Sequence, residues 1–278
     1  MQPAIPSVVS PALLACAHDV GLNTSHPKAL IEWKKHALSC GTLEAVGFFL
    51  KGDRFMPVEN KSEEPWHHFV YDSDDYLEVA DDIEGIVHSH TEGPNRNEAG
   101  NYVLPTPEPT KLDMENQIAT AVPWGISCVV SGSVGNPVWW GDQLPIRPLI
   151  GRVFHHGIND CFSLIRDQFR LWGFHFEDVP RDPWWWSELK EDGTYINLYE
   201  DLFESRGFVR VERSRWKRGD VFLAKLHSPE VRNHGGVFIS NEEFIHHAGD
   251  HLSRRALGEI WQNKLDFLVR HKDMPENF

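Results

Sequence analysis

Two histidines one residue apart, His88 and His90, follow the apolar pair Ile86-Val87. On a β-strand alternate side chains share a face, so the two imidazoles converge while Ser89 points away. Two convergent imidazoles are half of a metal site. A zinc ion held by two imidazoles and one carboxylate keeps a fourth position for water, which then ionises near neutral pH. Asp113, the third residue after Thr110, offers a carboxylate in a first helical turn, from which a side chain reaches a neighbouring strand. The same residue also fits a Thr-x-x-Asp capping box, and a chain with 16 histidines can place two together by chance. Glu44 stands beside the apolar Ala45-Val46-Gly47, a setting that raises a carboxyl pKa and suits a general base; an exposed strand-end glutamate is the plainer reading of it alone.

A second set lies further along. Cys161 follows Asn159-Asp160 where a helix begins, and there the macrodipole and free N–H groups favour thiolate. His234 opens an apolar strand, and His246 stands on the next strand of a hairpin turned by Ser240-Asn241-Glu242-Glu243. A nucleophile, a base and a group that orients the base form the pattern of covalent catalysis. His247 competes with His246, because alternation sets Phe244 and His246 on one face and Ile245 and His247 on the other. Taken singly, the cysteine reads as an inert core thiol and each histidine as a surface residue.

These residues need elements to position them. Leu30, Trp33 and Ala37 share a face of a helix over residues 26–38, with Pro27 in its first turn. The run 45–50, closed by Lys51-Gly52-Asp53, predicts a strand and turn, and further strands are expected over 55–58, 66–71, 83–90 and 126–131. Thr110 caps a helix that ends near Pro123. Past the linker 143–151, Phe162, Ile165, Phe169 and Trp172 form a helical stripe ended by Gly173, and strands follow over 221–225, 235–239 and 244–247. The expectation is an α+β chain of two domains, 26–143 and 148–272, after an extension over 1–25. The stretch 91–109 is its one long irregular loop.

The totals exclude several classes. Lys plus Arg is 27 against 41 for Asp plus Glu, a net charge of −14 that argues against a nucleic-acid partner. With 41% hydrophobic residues, no long apolar run and no positive leader, the 278 residues read as a globular product made in the cytoplasm, without a membrane span. Four cysteines without a CxxC pair argue against a disulfide framework or a zinc ribbon. Eleven tryptophans include the run 184–186, which is core if buried and an interface or sugar-stacking surface if exposed.

Taken in order, Glu44, His88-Ser89-His90 and Thr110-x-x-Asp113 resemble the JAMM (MPN-type) zinc isopeptidase family over roughly residues 26–140. The resemblance implies a mixed sheet with helices, Zn2+ on His88, His90 and Asp113, Glu44 as the group that activates water, and Thr110 in the place of a serine that stabilises the oxyanion. Thr91 replaces the family's proline, Thr110 replaces its serine, and the loop between His90 and Thr110 is longer. The blocks Gly157-Ile158-Asn159-Asp160-Cys161-Phe162-Ser163-Leu164, Arg218-Gly219-Asp220-Val221, Asn233-His234-Gly235-Gly236-Val237-Phe238-Ile239 and Phe244-Ile245-His246 resemble the NlpC-type family of papain-like cysteine peptidases. That resemblance implies a papain-like fold, cleavage of bacterial cell-wall peptides, Cys161 as nucleophile, His234 as base and His246 as the third polar residue.

The two arrangements in one chain resemble the tail tip assembly proteins of lambda-like siphophages. This implies a peptidoglycan endopeptidase that opens the wall locally during genome entry, with a zinc domain acting in tail assembly. The implied partners are other phage tail tip proteins and peptidoglycan peptides; the implied locations are the host cytoplasm during assembly and then the virion tail tip. The alternative is a structural tail tip component with one or both peptidase domains inactive. A deubiquitinase-like enzyme is disfavoured by the cysteine half.

Overall fold

The computed structural model describes residues 21–92, 104–212, 216–265 and 267–278. They form two compact units, one ending at Pro145 and the other running from Ile146 to Phe278. Residues 1–20 of the expected extension lie outside the described residues, whereas 21–25 belong to the first unit. There helix α1 (Leu22–Ser25) buries Asn23, which accepts from the Trp139 indole at 2.8 Å and donates to the Pro137 carbonyl at 2.9 Å.

Helix α2 (Pro27–Ser39) starts on its proline and buries Ala29, Trp33 and Ala37. No side chain caps it from within; the Asp53 carboxylate accepts the N–H groups of Lys28 and Ala29 instead, at 2.9 and 3.0 Å. Asp53 lies in the turn joining β1 (Val46–Leu50) to β2 (Arg54–Val58), an antiparallel pair. Gly47 is dictated by close approach, since a Cβ there would fall 2.5 Å from the Phe55 ring. A helix over Ser73–Val79, α3, capped by Asp72, was not expected from the sequence. Strand β3 (Ile83–Thr91) runs antiparallel to β1 and parallel to β4 (Trp124–Val130), with α4 (Lys111–Thr120) on the crossover between them. Short strands β5 (Ser133–Val134) and β6 (Val138–Trp140) both pair with β4, completing a sheet of order β2-β1-β3-β4-β5 with β6 off the path.

The strand expected over 66–71 is absent: Trp66 and His67 lie in a turn and the rest is irregular. Asn60 organises the segment. Its amide donates to the carbonyls of Glu44 and His68, each at 3.0 Å, and accepts the N–H groups of Ser62 and Val70 at 3.0 and 3.2 Å. Backbone groups satisfied by one side chain are not available to a ladder.

The second unit packs α5 (Cys161–Leu171) on a six-stranded antiparallel sheet of order β11-β10-β9-β8-β12-β7. Its strands are β7 (Phe208–Val211), β8 (Asp220–Ala224), β9 (His234–Phe238), β10 (Glu243–His246), β11 (Arg254–Leu257) and β12 (Phe267–His271). Short helices α6 (Leu198–Leu202) and α7 (Gly258–Trp261) flank it. Alternation gives the sheet two apolar faces. Val221, Leu223, Val237, Ile245 and Val269 pack with Leu164, Ile165 and Phe169 of α5, while Phe222, Phe238, Phe244 and Leu268 pack on the other side with Trp261. Among the described residues no helix is long and apolar enough to cross a membrane.

Candidate active sites

In a parallel β–α–β unit the returning helix starts near the carboxyl end of the first strand, where such sheets gather ligands. The crossover therefore sets the first turn of α4 beside the end of β3. His88 Nε2 lies 3.3 Å from His90 Nε2 and 3.7 Å from Asp113 Oδ1, and one ligand atom from each of the three falls within 4.8 Å of the others. His90 Nδ1 sits 2.7 Å from the Thr106 carbonyl, which assigns the proton to that nitrogen and leaves Nε2 as a lone pair. Burial pushes His88 down to about 4 against the pull of Asp113, and burial lowers His90 as well, so both rings are neutral at pH 7. Two neutral imidazoles and one carboxylate oxygen facing one another fit zinc with a remaining position for water.

The two oxygens of the Asp113 carboxylate have different neighbours. Oδ2 accepts the Thr110 N–H at 2.9 Å and the Thr110 hydroxyl at 2.7 Å, and the Asp113 N–H donates to that hydroxyl at 3.1 Å, a complete capping box. Oδ1 remains for the histidines. The single hydroxyl proton of Thr110 is thereby committed to Asp113, so the oxyanion role implied for Thr110 is not set up; Thr110 positions the carboxylate instead.

Glu44 is buried at the mouth of β1. The Ala45 N–H donates to Ser89 Oγ at 2.9 Å and the Ser89 N–H to the Ala45 carbonyl at 3.0 Å, tying Glu44 to the strand segment that carries both imidazoles. Thr91 donates its hydroxyl to the Thr42 carbonyl at 2.8 Å and holds the same loop from the other side. Burial, with the Asp113 charge adding to it, pushes the Glu44 carboxyl up to about 8. Of the loop 91–109, residues 93–103 lie outside the described residues.

In the second unit the hairpin β9–β10 brings His234 Nε2 within 3.1 Å of His246 Nδ1, and Arg254 Nε stands 3.4 Å from His246 Nε2. Cys161 is not joined to that pair. Gly235 faces α5, since a Cβ on it would meet the Ile165 side chain, whereas Gly236 faces the Phe222 ring. His234, in step with Gly236, packs near Phe222 and Trp261. Cys161 packs with Ile165 and Val237 on the opposite side, its sulfur 3.4 Å from the Tyr199 hydroxyl. Among the described residues no hydrogen bond links it to His234 or His246. His247 is on the α5 side with Ile245, fully buried and edge-on to Phe154 at 5.2 Å, and neither of its ring nitrogens has a hydrogen-bond partner.

The thiol also departs from expectation. The N-cap of α5 is Asp160, which accepts the Ser163 N–H at 2.9 Å and the Arg181 guanidinium at 3.1 and 2.6 Å. Burial opposes the charge of Asp160, yet Arg181, His156 and the Ser163 N–H hold its carboxyl well below the usual range. Burial, and then this neighbouring carboxylate, push Cys161 up to about 11, with the Tyr199 hydroxyl and the Gly235 backbone pulling the other way. The helix N-terminus does not offset desolvation next to an ionised cap. Burial likewise drives His234 well below its ordinary value, with His246 adding, and lowers His246 to about 4. Tyr199 and Arg181 left no signal in spacing or periodicity.

Residues 140–270 match the NlpC/P60 family, and the C-terminal half is an NlpC/P60 domain. The chain is 29% identical over 229 residues to tail tip assembly protein K of Escherichia phage N15, covering 81% of this chain and 85% of that protein. It is 30% identical over 196 residues to tail tip assembly protein K of Escherichia phage lambda, covering 70% and 85%. The chain belongs to the family of tail tip assembly protein K.

Proposed function

We propose that the chain is a virion tail tip component, built in the host cytoplasm alongside other tail proteins, whose NlpC/P60 half is a peptidoglycan endopeptidase that opens the wall locally during genome entry. The observation that carries the catalytic assignment is the His234–His246 contact at 3.1 Å on a hairpin packed against the helix that begins at Cys161. Cys161 attacks the scissile carbonyl of a wall peptide, His234 accepts the thiol proton and returns it to the departing amine, and the resulting thioester is hydrolysed by a water that His234 deprotonates. His246 orients His234. This mechanism requires the start of β9 to rearrange when substrate binds, so that His234 passes to the α5 face and makes a contact with Cys161 that the free protein does not make. Digestion of purified wall, with mass spectrometry of the fragments, tests it: Cys161→Ala and His234→Ala should each abolish fragment release, and retained release would refute the assignment.

We infer further that His88, His90 and Asp113 hold Zn2+ in a JAMM-like first half that cleaves a peptide or isopeptide bond during tail assembly. Bound there, zinc would lower the pKa of a coordinated water. Glu44, buried and tied through Ala45 to the strand segment that carries both imidazoles, is placed to take up a proton and deliver it to a leaving amine. Metal analysis tests this: a wild-type chain carrying one zinc that His88→Ala loses supports it, and unchanged stoichiometry removes it.

One observation favours a second reading, in which the cysteine half is a scaffold. The Cys161 thiol is buried, pushed up to about 11, and bonded to Tyr199 instead of to a base. Normal particle assembly by a Glu44→Gln, Cys161→Ala chain, together with wild-type chain inert towards wall, would establish that reading.

A further inference from the structure

Trp184 is the one large aromatic residue among the described residues that holds a left-handed backbone, at φ 65°, ψ 18°. For a bulky side chain that conformation costs on the order of 1–3 kcal/mol, a strain that a glycine or asparagine would avoid. The strain is held in place from both sides. The Ser187 N–H and hydroxyl both donate to the Trp184 carbonyl at 2.8 Å, and Trp185, fully covered, packs edge-on to Tyr199 at 5.0 Å. With its neighbour anchored in the core, Trp184 is turned outward and is 41% exposed. Its ring meets Trp186 at 5.2 Å, and Trp186 stacks loosely on His227 at 6.5 Å.

The position of this surface relative to Cys161 is set by contacts. Tyr199 touches both the thiol, at 3.4 Å, and Trp185; ring contacts of 5.7 and 5.2 Å then lead through Trp186 to Trp184. The exposed ring therefore lies no more than about 22 Å from the sulfur, the span of about six or seven extended residues. A peptide seated at Cys161 carries whatever it is attached to into this neighbourhood. On the reading that Cys161 cuts a wall peptide, the attached group is a polysaccharide strand. A pyranose ring has an apolar C–H face that matches an aromatic face and a rim of hydroxyls that match exposed polar groups, here Ser187 and Glu188.

We propose that Trp184, backed by Trp186, is a stacking subsite for a sugar ring of the wall glycan, which orients the strand while its peptide enters the Cys161 site. The inference rests on the endopeptidase reading for its choice of ligand but is tested without it. The probe is chitotetraose, an N-acetylglucosamine oligomer that carries no peptide, followed by saturation-transfer NMR with the full chain. The expected result is transfer to the sugar ring protons in wild type and in Cys161→Ala alike, with affinity falling about tenfold or more in Trp184→Gly. Because glycine relieves the left-handed strain, Trp184→Gly should keep its melting temperature while losing the ligand. Should that variant unfold, Trp184→Asn, which also tolerates this backbone, replaces it. Absence of transfer to chitotetraose in wild type overturns the proposal, as does equal affinity in the folded variant. Unchanged sugar binding with loss of binding to purified tail proteins overturns it in favour of protein docking. Sugar binding by a wild-type chain that digests no wall leaves the subsite standing and removes only the peptidase reading.

Discussion

The two units gather their candidate residues by different geometry. In the first, both imidazoles stand on one strand two residues apart, so they share a face whatever the surroundings, and a parallel crossover must return its helix to the end of that strand. His88, His90 and Asp113 meet as a result, with Glu44 tied alongside through Ala45 and Ser89. In the second unit, the two histidines also meet across a hairpin, but the nucleophile comes from a helix. Whether Cys161 meets His234 depends on which residues of β9 face α5. Gly235 and Val237 do, and His234 does not. A shift of one residue exchanges the faces of a strand. Constellations on one element, or across one tight turn, are therefore more secure than those that depend on the parity of a strand against a distant helix.

The largest effect that would test this contrast is loss of the nucleophile. Cys161→Ala should lower wall digestion by about 10³-fold or more, whereas a small effect would leave the second unit as scaffold and the first as the reactive half. In the first unit, His88→Ala should take bound zinc from one per chain to none by elemental analysis, with no change in wall digestion; a coupled loss of both would show that the two halves do not act separately. Next in size is Thr110→Val, which removes the hydroxyl that caps α4 and holds Asp113. It should cost about 1 kcal/mol of stability in denaturant titration and weaken zinc binding about 10–100-fold, separating a positioning role from an oxyanion role, which would spare binding.

Glu44 gives a pH signature. Its folded pKa of about 8 lies above the ordinary 4.5, so the fold favours the protonated form. That contribution is complete below about pH 4.5 and is lost as pH rises through about 8. In metal-free protein the melting temperature of wild type should therefore fall relative to Glu44→Gln between pH 5 and 9; parallel profiles would mean that Glu44 titrates normally. The smallest effect belongs to Tyr199. Its hydroxyl pulls the Cys161 pKa down, so Tyr199→Phe should slow alkylation of the thiol by about two- to fivefold at pH 8, and faster alkylation would show that the hydroxyl shields the sulfur.

Much of the fold was legible because it rests on local pattern. The apolar stripe of α2, the hairpin closed at Lys51-Gly52-Asp53, the cap at Thr110 and the turn between β9 and β10 all follow from residues within a few positions of one another. The pairs His88–His90 and His234–His246 were legible for the same reason. Residues 66–71 were not, because Asn60, outside that stretch, takes up the His68 carbonyl and the Val70 N–H. The Cys161 pKa was not, because burial by distant segments raises it and the Asp160 cap, kept ionised by Arg181 20 positions after the thiol, adds to that.

The amino-acid order alone determined several of the elements, where α4 and α5 begin, and which side chains project together from a single strand, since dihedral preference, capping and alternation act over one or two turns of chain. Only the folded molecule decided that Cys161 is buried beside Tyr199, that β9 turns Gly235 and not His234 to the helix, and that Trp184 is held strained and exposed. Those outcomes depend on desolvation and on contacts between segments far apart, which leave no periodic trace in the chain.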